Sequence, residues 1–589
     1  MSNPESNNNS GVRYEPGEAP PPLLSIGLGF QATALILANI VLVCTIVMRA
    51  AGETDLYLSW AVWASVIICG LTTALQAIRI GGFGAGYFHL MAGAPAFIAI
   101  SITALAAGGP ELLAALVIVS SLVPFIVSAR LSLLRQVLTP TISGTVTMLI
   151  PVTVMPYVIE MLDDVPQGSS VLPGSVSFFV TVCVIAMILL TASGRVRTWA
   201  PIIGIVIGSV VAAMFGIYDY ERVAQATWIG FPEIAWRGIN LDFGREFWAI
   251  LPAFIFLVLI ESLKTIGTTV AVQNVSWCRT RAVDFRSTQS SIAILGVGNL
   301  LSGIAGTVPT AVSPWSIALV EATGVAARRI GVVTGAIIIF FAFLPKLIAT
   351  ILSIPSPVIA GYLAILMIMV FIAGIKTVMQ DGIDHRKGLI VGAAFWAGIG
   401  FQNAVIYPEF FSEFLAGMLQ NGVVAGGFLA IILTVFVEFA APRRSRIKVP
   451  FTLDSLPRIA NFLGEFTSKS GWGDQMAERL VAVSEETLLT FYHSKKSGDD
   501  ETDRQVVLVA RKDRDAAILE FVISTFEDNI QDQIAFLGKQ VSEESIEQEV
   551  SIRMLKHIAS SVRHQQFRNT DVLTIRVEAV KRTASGNLI

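Results

Sequence analysis

The chain has 589 residues, of which 53% are hydrophobic and 14% charged, with a formal net charge of −3. Ordinary soluble domains carry roughly a quarter charged residues, so water is not the main solvent of this chain. Its near-neutral charge lacks the basic footprint of a nucleic-acid binder. Cys44, Cys69 and Cys183 lie in apolar runs and Cys278 beside a basic loop, which gives neither a disulfide framework nor a CxxC metal motif.

The first 22 residues, MSNPESNNNSGVRYEPGEAPPP, are polar and proline-rich and lack the basic region and cleavage site of a secretory signal. Residues 1–22 are therefore expected to be a disordered cytoplasmic tail. Apolar runs of the length needed to cross a bilayer then follow at 24–49, 57–78, 86–107, 111–129, 139–161, 173–193, 199–217, 246–270, 288–305, 310–323, 329–351, 356–375, 388–404 and 416–440. About fourteen spans result, two of them short and broken. Lys and Arg collect on cytoplasmic loops. They alternate along this chain at Arg79, Arg130 and Arg135, Arg195 and Arg197, Arg279, Arg281 and Arg286, Arg328 and Arg329, and Lys376, Arg386 and Lys387, with Arg443, Arg444, Arg446 and Lys448 after the last span. The opposite connections are acidic or mixed, as at Asp163, Asp164, Glu409, Glu413 and the long 218–245 segment. Both termini are expected on the cytoplasmic side of a bacterial inner membrane.

The third run, GGFGAGYFHLMAGAPAFIAI, is interrupted by glycines and Pro95, and the tenth, GTVPTAVSPWSIALVEATG, by Pro309 and Pro314. Each is third in a set of seven. Interrupted segments at corresponding positions of two halves point to an inverted-repeat transporter with its site near the bilayer midplane. Half-helices starting near residues 94 and 315 would aim their N-terminal amides at a ligand. The fold class expected is an all-α polytopic membrane protein with a 7+7 inverted repeat, followed by a soluble α+β domain.

Glu261 falls near the centre of the eighth span, where a charge costs about 2.5–3.5 kcal/mol. Lys264, at i+3 on the same helical face, offers a structural ion pair. Alternatively Glu261 binds substrate, carries a proton, or both. His89 in the broken third span is either a proton relay or a group satisfying a backbone carbonyl. Trp315 offers a face on which a planar ring can stack, or ordinary packing. No metal-ligand cluster, P-loop or nucleophile triad occurs in the membrane part, so no cofactor is implied.

The stretches GFQATA, GGFGAGYFHLMAGAPAFI, IESLKTIG, GIAGTVPTAVSPWSIALVEATGVAARRIG and LPKLIATILSIPSPVIAGY resemble the xanthine/uracil permease family, the nucleobase–ascorbate transporters, over most of residues 24–440. The resemblance implies a core domain and a gate domain within residues 23–442, usually a homodimer, usually driven by proton symport. It also implies that the eighth-span Glu, matching Glu261, hydrogen-bonds the nucleobase. Gln31 matches the Gln of a Gln-His pair whose His is replaced by Ala32. Ala94, Pro95, Trp315 and Ser316 stand at the half-helix starts, and Trp315 and Ser316 replace the family's Gln-Asn or Glu-Asn. Thr265 stands where relatives have Asp or His, and Leu295 where purine carriers have Asp. The function expected is proton-coupled uptake of a nucleobase such as xanthine or uracil, with Glu261, Lys264, Thr265 and His89 as candidates for proton coupling. An anion carrier of the same fold, with Lys264 meeting the charge, and a transporter-like sensor signalling through its tail are the alternatives.

From residue 443 to 589 the composition turns charged, and period-two strands appear in RQVVLVAR and AILEFVIS. An amphipathic helix, WGDQMAERLVAVSEETLLTFYH, opens this domain; after the hairpin, helices are expected to about residue 564, then the strand VLTIRVEAV. The order and the AVSEE stretch resemble a degenerate GHKL-type ATP-binding domain of the anti-sigma-factor kind over 455–580. That resemblance places Glu485 on the water-activating Glu but Leu489 on the magnesium-holding Asn, and FEDNIQDQIAFLG offers only Gly538 for a glycine-rich lid. The domain is expected to be a non-hydrolytic regulatory module meeting a cytoplasmic partner through residues 450–589.

Overall fold

The computed structural model describes residues 11–579, apart from 135–138, 164–170, 194, 240–241, 280, 380–381, 383, 404–418, 420, 440–444, 494–504, 514, 524–553, 556 and 569. Glu409, Glu413, Arg443, Arg444, the start of the 416–440 span and the FEDNIQDQIAFLG stretch lie outside the described residues, as do residues 1–10. The chain divides into two compact units, Met1–Cys278 with Ser287–Glu438, and Arg279–Arg286 with Phe439–Ile589.

In the first unit α1 (Pro22–Ala50) starts with proline at its first turn, where a missing N–H costs nothing. Thr54 caps α2 (Asp55–Ala77) by accepting from the Tyr57 amide. The third apolar run is not a helix at first. It forms strand β1 (Leu90–Gly93), a 3-10 turn at Pro95–Phe97, and only then α3 (Ile98–Ser120). Non-helical backbone at Gly108 and Gly109, the latter at φ 68°, breaks α3 just before Pro110, where the third and fourth predicted runs meet. α4 (Leu122–Leu134), α5 (Pro140–Asp163), α6 (Val171–Thr191), α7 (Arg195–Met214) and the short α8 (Tyr220–Gln225) follow. α9 (Arg245–Ser276) and α10 (Phe285–Ala305) lead to the second interrupted run, β2 (Thr310–Ser313) and α11 (Trp315–Thr323).

The expected single span 329–351 is instead two helices, α12 (Arg328–Ala342) and α13 (Pro345–Leu352), bent by 83°. Pro345 cannot donate to the preceding turn, so the helix breaks there. α14 (Ser356–Met379), α15 (His385–Gln402) and α16 (Gly422–Phe439) complete the unit. Among the described residues seven helical stretches are long and apolar enough to cross a membrane, or eight if the bent pair is one span.

Helix contacts fall into two sets. α1, α2 and α12 pack together, and α3, α4 and α11 pack on α9; α5, α6, α7, α14 and α15 form the other set. Glycine lets backbones meet at both centres, as expected where lipid offers helices no hydrophobic drive to associate. A Cβ on Gly335 would lie 2.5 Å from the Gly70 carbonyl oxygen, and one on Gly144 2.7 Å from that of Gly374.

The second unit holds one antiparallel sheet in the order β3–β4–β5–β7–β6 (Ser445–Pro450, Gln505–Asp513, Ala516–Ile523, Asp571–Glu578 and Ser561–Gln566, respectively). The hairpin and the final strand stand where period-two alternation predicts them. β3 and β6 do not: Ser445–Pro450 reads as a basic loop, and Ser561–Gln566 falls in the expected helical stretch. Both owe their strand form to pairing, β3 with β4 and β6 with β7. Leu508, Leu519, Phe521 and Ile575 of the sheet share a buried core with Leu463 of α17 (Leu456–Lys469) and with Leu480 of α18 (Asp474–His493).

Candidate substrate site

The two interrupted runs meet. β1 and β2 pair antiparallel with Leu90 opposite Ser313 and Gly93 opposite Thr310, and the Ala94 amide extends the ladder to the Pro309 carbonyl at 3.1 Å. A two-stranded ribbon surrounded by membrane helices leaves edge groups that lipid cannot satisfy. Side chains supply the partners. Thr73 Oγ1 accepts from the Met91 amide at 3.0 Å, Ser316 Oγ from the Leu90 amide at 2.8 Å, and Asn299 Oδ1 from the Thr310 amide at 2.8 Å. Thr73 and Asn299 carry no sequence motif of their own, and polar residues with odd placement in apolar spans are the signal that would find them.

Half-helices therefore begin where the proline pattern expects them, at Pro95 and Trp315. Both starts pack against α9. Phe97 meets Phe254 of α9 with ring centroids 5.8 Å apart, two turns before Glu261. Ile317, two residues into α11, shares a small apolar cluster with Val272 of α9. Glycine is required at Gly324, which ends α11 at φ 69°.

Glu261 is 1% exposed, and its Oε1 accepts from Lys264 Nζ at 2.7 Å. The ion pair available at i+3 is formed, with the Lys264 side chain 30% exposed. Thr265 donates its hydroxyl to the Glu261 carbonyl at 2.8 Å, and Ser262, Thr268 and Thr269 bond back along α9 in the same way. Such back-bonds commit each hydroxyl proton to the helix, which leaves Thr265 only acceptor capacity. Ser316 is likewise committed, donating to Ser313 O at 3.0 Å while it accepts from Leu90.

His89 is fully buried beside β1, and neither ring nitrogen has a hydrogen-bonding partner among the described residues. Trp315 is partly buried against the main core. Leu295 packs with Met91 and Val312 of the ribbon. Gln31 stands apart from this group. It lines a cavity of about 890 Å³ with Leu28 of α1, Thr323 of α11, and Arg13, Tyr14 and Glu18 of the N-terminal segment. That segment departs from the disordered tail expected over 1–22, since residues 13–16 hydrogen-bond to residues 324–328. No group of three or more His, Cys, Asp or Glu able to hold a metal occurs among the described residues.

The ribbon joins two half-helix starts that pack on the helix carrying the buried Glu261. The model of the permease family, xanthine and uracil carriers, matches residues 24–405. The chain belongs to the xanthine/uracil permease family. It is a multi-pass membrane transporter and not an enzyme. It is 24% identical to the xanthine permease XanP of Escherichia coli K12 over 68% of this chain and 88% of that one. The xanthine permease of Bacillus subtilis is 26% identical over 70% and 93% of the two chains. The uric acid permease PucK of Bacillus subtilis is 24% identical over 72% and 97%. Among solved structures, SLC26A9 aligns with 11% identity and a TM-score of 0.48 over 79% of this chain and 77% of that one, a likeness too distant to carry an argument.

Proposed function

We propose that this permease is a secondary active carrier of an oxopurine, of the xanthine or urate type, driven by proton symport through alternating access. The observation that carries the reading is Glu261, 1% exposed on a helix against which both half-helix starts pack. Oxopurines present adjacent N–H donors and C=O acceptors on one edge. Glu261 accepts from the donors, and backbone amides at the starts of the two half-helices donate to the carbonyls. Ala94 and Pro95 wall the site without offering donors, because Ala94 N–H is already given to Pro309. Trp315 stacks on the ring, and the backbone amide of Ser316 faces it while its hydroxyl holds the ribbon. Lys264 contributes positive charge to a substrate oxygen, which favours urate-like monoanions over neutral pyrimidines. Gln31 borders the pathway on one side.

When substrate leaves, Glu261 keeps either Lys264 or a proton, and a carboxylate that must be neutralised before it crosses a dry barrier couples transport to protons. His89, both of whose nitrogens lack a partner among the described residues, relays that proton, and Thr265 accepts from it. The helix set around α9 acts as core and the set around α5 and α14 as gate, in a fourteen-crossing 7+7 repeat working as a homodimer. The chain sits in a bacterial plasma membrane with both termini cytoplasmic. Residues 443–589 act as a regulatory module without ATP hydrolysis; the GHKL resemblance of the sequence would put Leu489 at the place of its magnesium ligand.

Uptake of labelled xanthine and urate into proteoliposomes under an imposed pH gradient tests this. Glu261→Gln is expected to abolish the gradient-driven component. Unchanged uptake with unchanged pH dependence sinks the reading, and competition by bicarbonate or sulfate but by no oxopurine would replace it with the anion carrier.

A further inference from the structure

The N-terminal segment is built against the ends of two elements of the candidate site. Arg13 and Tyr14 both donate their amides to the Gly324 carbonyl, at 2.6 and 3.2 Å. In return Ala326 donates to the Tyr14 carbonyl at 2.9 Å, and Arg328 to that of Pro16 at 3.2 Å. Tyr14 and Val325 thus pair as a short parallel bridge. The Glu15 carboxylate accepts from the Cys278 amide at 3.2 Å, and the Cys278 thiol donates to the Val12 carbonyl at 3.5 Å. Gly324 ends the half-helix α11, and Cys278 follows the helix that carries Glu261. One short stretch of chain is therefore fastened to the ends of both elements.

Beneath it lies the cavity of about 890 Å³ that Gln31 and Thr323 line, with Arg13, Tyr14 and Glu18 of the same stretch forming its outer wall. Glycine at 324 is what lets the stretch approach, since a Cβ there would collide with the Gly11 carbonyl. The fastening is made of four backbone hydrogen bonds, the Glu15 carboxylate and the Tyr14 ring packed on the main core; Gly324 and Ala326 are buried, whereas Arg13, Gly17, Glu18 and Ala19 of the stretch are exposed. Hydrogen bonds contribute little net to stability, and ordering a largely exposed extended segment opposes them entropically, so the attachment suits a closure that opens.

We propose that residues 12–20 are a releasable strap that closes the mouth of the vestibule leading to Gln31, and that a transport cycle requires its release. This rests on the transport reading for its functional half. The strap's position over the vestibule is tested without it.

The experiment uses purified full-length protein in which Cys183 and Cys278 are serine. First, Leu28→Cys, on the vestibule wall, is labelled with a polar maleimide in detergent. Deletion of residues 2–20, and separately Tyr14→Ala with Glu15→Ala for the case in which the deletion fails to fold, is expected to raise the labelling rate at least tenfold. An unchanged rate in a variant that elutes as folded protein overturns the proposal. Second, Tyr14→Cys and Val325→Cys are joined by a short bismaleimide and xanthine uptake is measured. Joined protein is expected to lose at least nine-tenths of the unjoined rate; transport at the unjoined rate overturns the proposal. If the unjoined protein carries no xanthine, the substrate reading fails, and the labelling comparison alone decides the strap.

Discussion

Replacing Lys264 by methionine removes the partner of a carboxylate that is 1% exposed. Breaking a buried pair and leaving the other charge behind costs about 3–5 kcal/mol, so a loss of about 3 kcal/mol is expected. Glu261→Gln leaves the opposite orphan, an ammonium on a flexible stem that is already 30% exposed. Swinging toward polar surroundings holds its cost to about 1 kcal/mol. The double variant exchanges the pair for an amide and a thioether, an exchange often close to neutral. The cycle should therefore close with a coupling energy of about 4 kcal/mol, well above the scatter of about 0.3–0.5 kcal/mol between independent sites. Unfolding by dodecyl sulfate in mixed micelles, followed through tryptophan fluorescence, measures all four proteins. Additivity within about 0.5 kcal/mol would show that the 2.7 Å contact contributes nothing net, and the role given to Lys264 would go with it.

Asn299→Ala removes the acceptor of the Thr310 amide; an orphaned buried donor costs about 1–3 kcal/mol, and the melting temperature should fall together with xanthine uptake. Gly335→Leu would drive a side chain into the Gly70 backbone, so the protein should lose its single peak on size exclusion, whereas Gly392→Leu, with open space around it, should not. In the second unit Phe521→Ala empties a fully buried position at about 3–5 kcal/mol, and brief trypsin treatment of the full chain should then remove this unit while the membrane part stays intact.

Much of this protein is legible along one strand of text. Runs of about twenty apolar residues identify membrane helices because helix rise and bilayer thickness are fixed lengths. Pro95, Pro309 and Pro314 mark where half-helices begin, since proline removes a donor wherever it stands. The i+3 spacing of Glu261 and Lys264 already offers their ion pair, and the alternation in RQVVLVAR and AILEFVIS already marks a hairpin. The candidate site is only half legible. Ser316 reads as a substrate-binding candidate and Thr265 as a proton-coupling one, yet both hydroxyls are committed to backbone partners, and Asn299 and Thr73 give no hint in sequence of the ribbon they hold.

Those differences share one origin. Hydropathy, proline and helical spacing act on a residue through its own neighbours in the chain, so the sequence by itself determined a polytopic membrane transporter with two interrupted segments, a buried acid and a separate α+β unit. Which distant segments pair was decided only by the tertiary structure. β1 meets β2 across more than 200 residues, β6 becomes a strand because β7 lies beside it, and residues 13–16 leave disorder because Gly324 lets them approach. A backbone donor in a membrane protein takes whatever acceptor the folded neighbourhood brings to it, and that acceptor is written elsewhere in the chain.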